Sequence, residues 1–199
     1  MTIQQKPQPN ITVASLSISP KREGKFERDI IPKVARFFQE RNYETKEHVS
    51  MNLAWGKVLS EIDLVAVKHE EIVIIEVKSK RDKITRAKKQ LDKIRILSDY
   101  CFIASDTMVK PDQLALDTGI LFLREERISI IREAEKVNEP VSKNFLLSFK
   151  KRHLNDLCKQ LGFQRKTNKD YLAKFLIENV DPLDLKRKVK SIAFSEVVN

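Results

Sequence analysis

Apolar residues recur along the chain first at helical spacing and then at strand spacing. Over residues 23–41 they stand three or four positions apart, which predicts an amphipathic helix despite Pro32 in its middle. Three strands follow over residues 43–51, 58–68 and 71–77. The last two are rich in Ile and Val and flank a short polar turn, so they predict a hairpin.

The pattern then alternates between helices and strands. A cationic helix with one apolar stripe is predicted over residues 81–97, followed by a buried strand over 100–104. Residues 111–116 predict one or two helical turns, and residues 119–123 and 127–131 predict a second strand pair. This order of elements predicts an α/β layer fold with a mixed β-sheet.

Changes in polarity divide the chain into four parts. Residues 1–22 are polar and contain proline, which predicts a mobile arm with one short edge strand at 11–18. The α/β core spans 23–133, and the polar, aperiodic stretch 134–142 predicts a linker. Residues 143–199 predict a small module of two short helices and a tail, in which Gly162 begins the loop between the helices.

Composition narrows the class of protein and of partner. Lys and Arg total 38 against 28 Asp and Glu, so the formal net charge is +10 and a polyanionic partner is expected, with DNA, RNA and anionic lipid all open. No stretch approaches the ~20 apolar residues of a membrane span, and the first residues lack a signal-peptide core. We therefore expect a cytoplasmic protein with no membrane partner. The two cysteines and three histidines are too scattered for a zinc site.

One end of the predicted hairpin gathers four charged residues. If the hairpin turns at residues 69–70, Asp63 lies opposite Glu76 on one face of the sheet. Lys78 lies on the same face, two residues after Glu76 and opposite Glu61. The surrounding positions are apolar, so the two neighbouring carboxylates must be neutralised. A hard divalent cation would neutralise them, and an ion pair with Lys78 is the structural alternative.

The spacing of these residues resembles a known motif. Asp63, twelve intervening residues and then Glu76-Val77-Lys78 resemble the signature of the PD-(D/E)XK nuclease superfamily. Ile62 stands where that motif has proline. The resemblance covers residues 23–133 and is closest to the Holliday-junction-resolvase-like and repair-nuclease branches. It implies a restriction-endonuclease-like core, with a central mixed sheet flanked by helices.

Two further residues extend this resemblance. Glu27 opens the first helix, where many members carry another metal-binding glutamate, and Gln90 lies on the helix that follows the motif lysine. Solvated surface roles are the alternative for both. The resemblance implies the catalytic residues Asp63, Glu76, Lys78 and Gln90. It also implies a Mg²⁺ or Mn²⁺ site formed by Asp63, Glu76, the Val77 carbonyl and Glu27.

The helix after the motif carries many cations. Nine Lys or Arg residues stand between positions 78 and 95, against two acidic residues. Beside a phosphodiesterase motif they favour phosphate binding, and a solvated basic face is the alternative. The candidate nucleic-acid-binding residues here are Lys80, Arg81, Lys83, Arg86 and Lys89.

The C-terminal segment carries a second resemblance. Its leucine spacing from Leu154 through Gly162, and then from Thr167 to Leu172, resembles the SAP family of small DNA-binding modules. A plain structural or dimerisation appendage is the alternative, and a homodimer stays open. The candidate DNA contacts in this segment are Lys150, Lys151, Arg152 and Lys169.

Together these features predict a metal-dependent DNA endonuclease that hydrolyses phosphodiester bonds. The resemblance adds that it acts on junctions or branched DNA in repair or recombination. A non-catalytic nucleic-acid-binding protein with a relict nuclease fold and an RNA-processing nuclease are the alternatives. The site is complete before residue 134, so we expect the C-terminal segment to be an auxiliary module rather than part of the catalytic core.

Overall fold

The computed structural model describes residues 27–51, 60–80, 82–163 and 167–194. The predicted N-terminal arm and its edge strand lie outside these ranges. The strands are β1 (Glu44–Met51), β2 (Ser60–Lys68), β3 (Glu71–Lys78), β4 (Tyr100–Ser105), β5 (Thr118–Arg124) and β6 (Arg127–Arg132). The helices are α1 (Glu27–Gln39), α2 (Ile84–Ile94), α3 (Lys143–Leu146), α4 (Lys151–Gln160), α5 (Lys169–Asn179) and α6 (Pro182–Ala193), with 3-10 turns at Arg95–Leu97 and Pro111–Gln113.

In the described residues the strands form one six-stranded mixed sheet in sequence order, β1 to β6. The first three strands are antiparallel neighbours, β3, β4 and β5 are parallel, and β6 returns antiparallel to β5. Helix α2 connects the parallel strands β3 and β4, as parallel neighbours require a crossover. The predicted α/β fold class, with a mixed sheet flanked by helices, is confirmed.

Helix α1 covers one face of the sheet. Its buried side chains pack with apolar residues of the inner strands in one hydrophobic cluster. The helical members of this cluster are Ile30, Ile31, Val34, Ala35 and Phe38. Their spacing of three or four residues explains why the polar positions between them can face solvent.

The other face of the sheet is covered by α2 and by the C-terminal helices together. A single cluster of buried residues joins sheet residues such as Ile74 and Ile103 to Leu91 of α2, Leu157 of α4 and Leu176 of α5. The C-terminal segment therefore shares the core of the sheet. Its description as a separate module stays a prediction.

The stretch 134–142 has no helix or strand, as expected of a connection, but it is anchored to the core. Val137 and Val141 are buried, and the Val137 amide donates a 2.8 Å hydrogen bond to the Asp99 carbonyl. The Lys186 ammonium of α6 donates to the Val137 carbonyl at 2.5 Å. The sequence suggested too few apolar residues for such anchoring, but two valines and backbone hydrogen bonds provide it.

Helix α6 was not among the predicted elements. The Asp181 side chain caps its first turn by accepting hydrogen bonds from the amides of Leu183 and Asp184, and Pro182 occupies the first helical position. Leu185 and Val189 are buried one turn apart, which holds the helix against the core. Within the described ranges, no helix has the length and apolar character needed to cross a membrane.

The topology brings several element ends to one edge of the sheet, which we call the carboxyl edge. The parallel strands β3, β4 and β5 end there, and β2, antiparallel to β3, begins there. Helix α2 starts shortly after β3, so its N-terminus lies at this edge. Strand β1 begins at the opposite edge, and α1 ends just before it. Helix α1 packs across the sheet, so its two ends lie at opposite edges. The N-terminus of α1 therefore lies at the carboxyl edge too.

Candidate active site

Strands β2 and β3 separate where Asp63 lies. Their ladder runs from the Lys68–Glu71 pair to the Leu64–Ile75 pair. At the next position the Asp63 Oδ2 atom accepts a 2.8 Å hydrogen bond from the Val77 amide. A side-chain carboxylate thus satisfies an amide of β3 at the point where the backbone ladder ends, which fixes the Asp63 carboxylate beside β3.

The structure brings Asp63, Glu76 and Lys78 together. The Lys78 Nζ atom lies 2.7 Å from Glu76 Oε1 and 4.0 Å from Asp63 Oδ2. The three residues are only 2%, 0% and 3% exposed, respectively. Burying two carboxylates and one ammonium carries a heavy desolvation cost. The attraction between the ammonium and the carboxylates repays that cost only in part. We call these three residues the buried triad.

The buried triad belongs to the α2 side of the sheet. Ile72 and Ile74 of β3 pack into the cluster that contains α2, and alternation along the strand places Glu76 and Lys78 on the same face. On the neighbouring strand, Glu76 lies opposite Ile103. Lys78 lies opposite the buried Ser105 at the end of β4. The site thus lies where parallel strands end, the usual position of a ligand crevice in such sheets.

His48 of β1 occupies the position opposite Asp63. The flanking pairs Glu47–Leu64 and Val49–Ile62 define this register, and His48 has a φ of 52°, in the left-handed region. Such a backbone is uncommon for a residue with a side chain inside a strand. The alternation of faces along β2 also shifts here, because Ile62 and Val65, three residues apart, join the same cluster. Sequence reasoning missed this distortion, since no glycine marks it.

The loop between β3 and α2 is closed by Ser79 and Asp82. The Ser79 amide and hydroxyl donate to Asp82 Oδ2 at 2.9 and 2.7 Å, and the Asp82 amide donates to the Ser79 carbonyl at 2.9 Å. Burial raises the pKa of Asp82, but these hydrogen bonds and the charges of Lys78 and Arg86 outweigh burial and lower that pKa. The closed loop fixes the chain that follows Lys78. The local Ser-x-x-Asp spacing was its sequence signal.

The remaining predicted site residues are less directly tied to the triad. Glu27 is the first residue of α1 at the carboxyl edge, and its side chain lies outside the description. Gln90 of α2 is half-buried, and its Oε1 atom is buried without a hydrogen-bond partner in the part of the chain described. Glu61 pairs across with Ser50 of β1, and the β2–β3 ladder ends before it, so the expected position opposite Lys78 is not seen.

The donor set suits a small hard cation. In the described ranges, no three His, Cys, Asp or Glu residues form a metal-binding group. Mg²⁺, however, is commonly held by one or two carboxylates, with water completing the shell. Asp63 and Glu76 supply two buried carboxylates, and the Val77 carbonyl is a third oxygen in the same stretch. These residues fit Mg²⁺ or Mn²⁺ in number and in chemistry.

The family model of "Bacteriophage P4 protein cII" matches residues 21–196, which is most of the chain. The chain belongs to the bacteriophage P4 protein cII family. No curated protein matches it. A protein of unknown function from Silicibacter pomeroyi is 21% identical with a TM-score of 0.44, and the match covers 70% of this chain and 96% of that one. A second structure, also of a protein of unknown function, is 22% identical with a TM-score of 0.33. That match covers 40% of this chain and 48% of the other chain.

The cations predicted to bind nucleic acid lie around the N-terminal half of α2. Lys80, Lys83, Arg86 and Lys89 are exposed, and Arg81 lies outside the described residues. Helix α2 has no acidic residue in its first turn, and the nearby Asp82 carboxylate in the preceding loop accepts hydrogen bonds from Ser79. In this cII-family member the first turns of α2 thus offer positive charge next to the buried triad.

The C-terminal candidates differ in their accessibility. Lys151 and Arg152 are exposed at the start of α4, and Lys150 is half-buried just before it. The Arg152 Nε atom donates to His153 Nε2 at 3.0 Å, and burial, followed by the charges of Arg152 and Lys150, lowers the pKa of His153.

Lys169 differs from the other three C-terminal candidates. Its ammonium donates a hydrogen bond to the Leu147 carbonyl. In the structure Lys169 therefore ties α5 to the end of α3, which gives it a structural role in this cII-family chain.

Proposed function

We propose that this cII-family chain is a metal-dependent DNA endonuclease that hydrolyses phosphodiester bonds. The buried triad at the carboxyl edge carries the proposal. Replacing buried ion pairs by apolar residues is often neutral or stabilising, so three buried charges among apolar neighbours suggest a purpose beyond stability. Buried, charge-coupled residues at the ends of parallel strands are characteristic of functional sites.

Each residue of the site has a distinct part in the proposed reaction. Asp63, Glu76 and the Val77 carbonyl would hold Mg²⁺ or Mn²⁺, which supplies positive charge at the scissile phosphate and an acidified nucleophilic water. Lys78 would orient the attacking water or stabilise the charge that develops on the phosphate oxygens. The hydrogen bond from the Val77 amide keeps the Asp63 carboxylate in one orientation, which is the preorganisation that such a step requires.

The positive charge around the site suits a polyanionic substrate. Exposed cations on α2 and at the start of α4 suit phosphate contacts, which carry affinity without reading sequence. The resemblance to the Holliday-junction-resolvase-like branch adds a preference for junctions or branched DNA to the proposal. An RNA-processing nuclease would use the same chemistry, and a substrate panel separates the two.

One observation favours a second candidate, a non-catalytic nucleic-acid-binding protein. The Lys78 ammonium lies 2.7 Å from Glu76 and already offsets part of the negative charge of the triad. In such a protein the triad would be a retained structural ion pair, and the cations would still bind nucleic acid.

A cleavage assay tests the proposal directly. Labelled junction, flap, single-stranded and duplex DNA, with matched RNA, are incubated with the full chain and Mg²⁺ or Mn²⁺. We expect cleavage of DNA that Asp63→Asn and Lys78→Met each reduce at least about 100-fold, because each removes charge from the reacting centre. Glu44→Gln is the matched control, since Glu44 is an exposed acid at the far end of β1.

The outcomes separate the candidates. Binding without cleavage of any substrate would favour the non-catalytic protein. Cleavage of RNA but not of DNA would show that the chain is an RNA-processing nuclease. Wild-type cleavage by either triad variant would show that the activity comes from elsewhere.

A further inference from the structure

An aromatic residue lies beside the buried triad on the same face of the sheet. Phe122 of β5 is opposite Ser105 of β4, and Ser105 is opposite Lys78. Opposed residues in a sheet share a face, and Ile120, two residues before Phe122, packs in the cluster on the α2 side. Neighbouring strands are about 4.8 Å apart, so about 10 Å separates the backbone of Phe122 from that of Lys78.

Phe122 differs from the other aromatic residues in the described ranges. Each of the others belongs to one of the two hydrophobic clusters, packs against one, or stacks on another ring. Phe122 does none of these, although it is half-buried. Its cross-strand neighbours are Ser105 on β4 and Ser129 on β6, whose side chains are too short to cover the ring. The core therefore does not account for an aromatic ring at this position.

Two arginines follow Phe122 at the β5–β6 turn, which lies at the carboxyl edge. Arg124 and Arg127 are exposed and directly opposite each other, and alternation along β5 places them on the face of Phe122. Like charges in direct opposition destabilise a strand pair. Among the residues that the structure describes, neither guanidinium group forms an ion pair, and Glu126 of the turn pairs with Lys33 of α1. Two positive charges therefore lie together beside the ring.

An aromatic ring with cations beside it suits an unpaired nucleotide. Bases of single-stranded nucleic acid stack on aromatic side chains, while cations follow the phosphates. In a continuous duplex both faces of each base are covered by its neighbours in the stack. A stacked strand rises about 3.4 Å per nucleotide, so a base on Phe122 would lie about three nucleotides from a phosphate at the buried triad.

We propose that Phe122 stacks on an unpaired base of the DNA substrate and that Arg124 and Arg127 bind the phosphates beside that base. The inference rests on the proposed function, because it names the feature of the substrate that the same site selects. DNA with unpaired bases, such as a flap or a single strand, is preferred over a continuous duplex. The β5–β6 hairpin thereby gains a binding role that no sequence motif indicated.

Binding in EDTA, where the metal-dependent step cannot proceed, tests the stacking contact. The affinity of the full chain is measured for a labelled single strand and for a labelled duplex of the same length. Phe122→Leu keeps an apolar side chain but removes the ring, and the loss of one base–aromatic stack should weaken single-strand binding about tenfold. Duplex affinity should stay the same. Phe122→Tyr keeps the ring and should bind the single strand like wild type.

The matched control removes an aromatic ring at the opposite edge of the sheet. Tyr100 is half-buried at the start of β4 and packs on the α1 side. Tyr100→Leu should bind both DNA molecules like wild type.

The salt dependence of single-strand binding tests the two arginines. Each phosphate contact on a single strand contributes about 0.7 to the log–log slope. Arg124→Gln/Arg127→Gln should therefore flatten the slope by about 1.4, and Arg124→Lys/Arg127→Lys should retain most of it. Lys136 and Arg187 are exposed near the opposite edge, where the 134–142 stretch meets Asp99 and α6 approaches the β2–β3 turn. Lys136→Gln/Arg187→Gln should keep the wild-type slope.

Several results would overturn the inference. One is single-strand binding by Phe122→Leu at the wild-type level, and another is an equal loss in Phe122→Leu and Phe122→Tyr, which would indicate a structural role. A wild-type slope in the Arg124→Gln/Arg127→Gln variant, or a wild-type chain that does not bind the single strand, would also overturn it.

The experiment separates this inference from the proposed function. Selective loss of single-strand binding in Phe122→Leu, together with no cleavage of any substrate by the wild-type chain, would keep the stacking contact and remove the nuclease. Cleavage by the wild-type chain, together with unchanged single-strand binding by Phe122→Leu, would keep the nuclease and remove the stacking contact.

Discussion

At the scale of single residues, Lys78 is the counter-charge that makes the buried triad tolerable. Its loss would remove the Lys78 ammonium from beside the buried Asp63 and Glu76. Removing one partner of a buried ion pair typically costs about 3–5 kcal/mol. We therefore expect Lys78→Met to lower the free energy of unfolding by about that amount in urea denaturation at neutral pH. Lys80→Met is the exposed control and should change it by less than about 0.5 kcal/mol.

The same variant reports on cation binding without any cleavage. A ligand that binds only the folded state raises its stability by mass action. Mg²⁺ should therefore raise the Tm of Lys78→Met, because the loss of the ammonium leaves more negative charge at Asp63 and Glu76 to attract the ion. In Asp63→Asn/Lys78→Met this gain should be lost. An equal Mg²⁺ response in both variants would contradict the assignment of Asp63 as a ligand.

The identity of the triad could be predicted from the sequence, but its geometry could not. Alternation along two apolar strands was enough to place Asp63, Glu76 and Lys78 together. The hydrogen bond from the Val77 amide to Asp63 and the left-handed backbone of His48 depend on how β2 separates from β3. Neither leaves a signal in local residue spacing.

At the scale of elements, the β2–β3 turn holds a strained residue. His69 has a φ of 55° and is exposed. A left-handed backbone costs an L-residue roughly 1–2 kcal/mol, and glycine avoids that cost but loses more entropy on folding. His69→Gly should therefore raise the free energy of unfolding by about 0.5–1 kcal/mol, measured by urea denaturation.

Glu70→Gly provides the control in the same turn. Glu70 is exposed and is not among the residues with positive φ. Glycine there brings only the entropy cost, so the variant should be unchanged or less stable. Equal effects of the two substitutions would remove the strain argument.

Most elements could be predicted because their apolar residues have a clear period. Helix α6 was missed because four of its twelve residues are Lys or Arg, which hides the buried Leu185, Val189 and Ala193. Its capping Asp181 and the following Pro182 were the available signals. The stretch 134–142 looked like a free linker because the partners of Val137, at Asp99 and Lys186, are far away in the sequence.

At the scale of the whole molecule, the C-terminal helices complete the core of the sheet. Leu154, Leu157, Leu172 and Leu176 pack in the cluster that covers the α2 side. A chain ending at Val141 would expose that face. We expect it to lack a cooperative thermal transition and to bind a hydrophobic dye, whereas the full chain should melt cooperatively. A cooperative melt of the shorter chain would instead support an independent module.

The contact between Asp99 and Lys190 also affects the order of events during synthesis. Asp99 accepts hydrogen bonds from the Ile72 amide and from the Lys190 ammonium, so an early strand and the last helix meet at one carboxylate. Translation is directional, and native contacts can form only after both partners have left the ribosome. The part of the sheet face that the C-terminal helices cover therefore stays open in the nascent chain until those helices have been made. Transiently exposed apolar surface favours aggregation, so the docking of the C-terminal helices shortens the period in which a new copy is vulnerable.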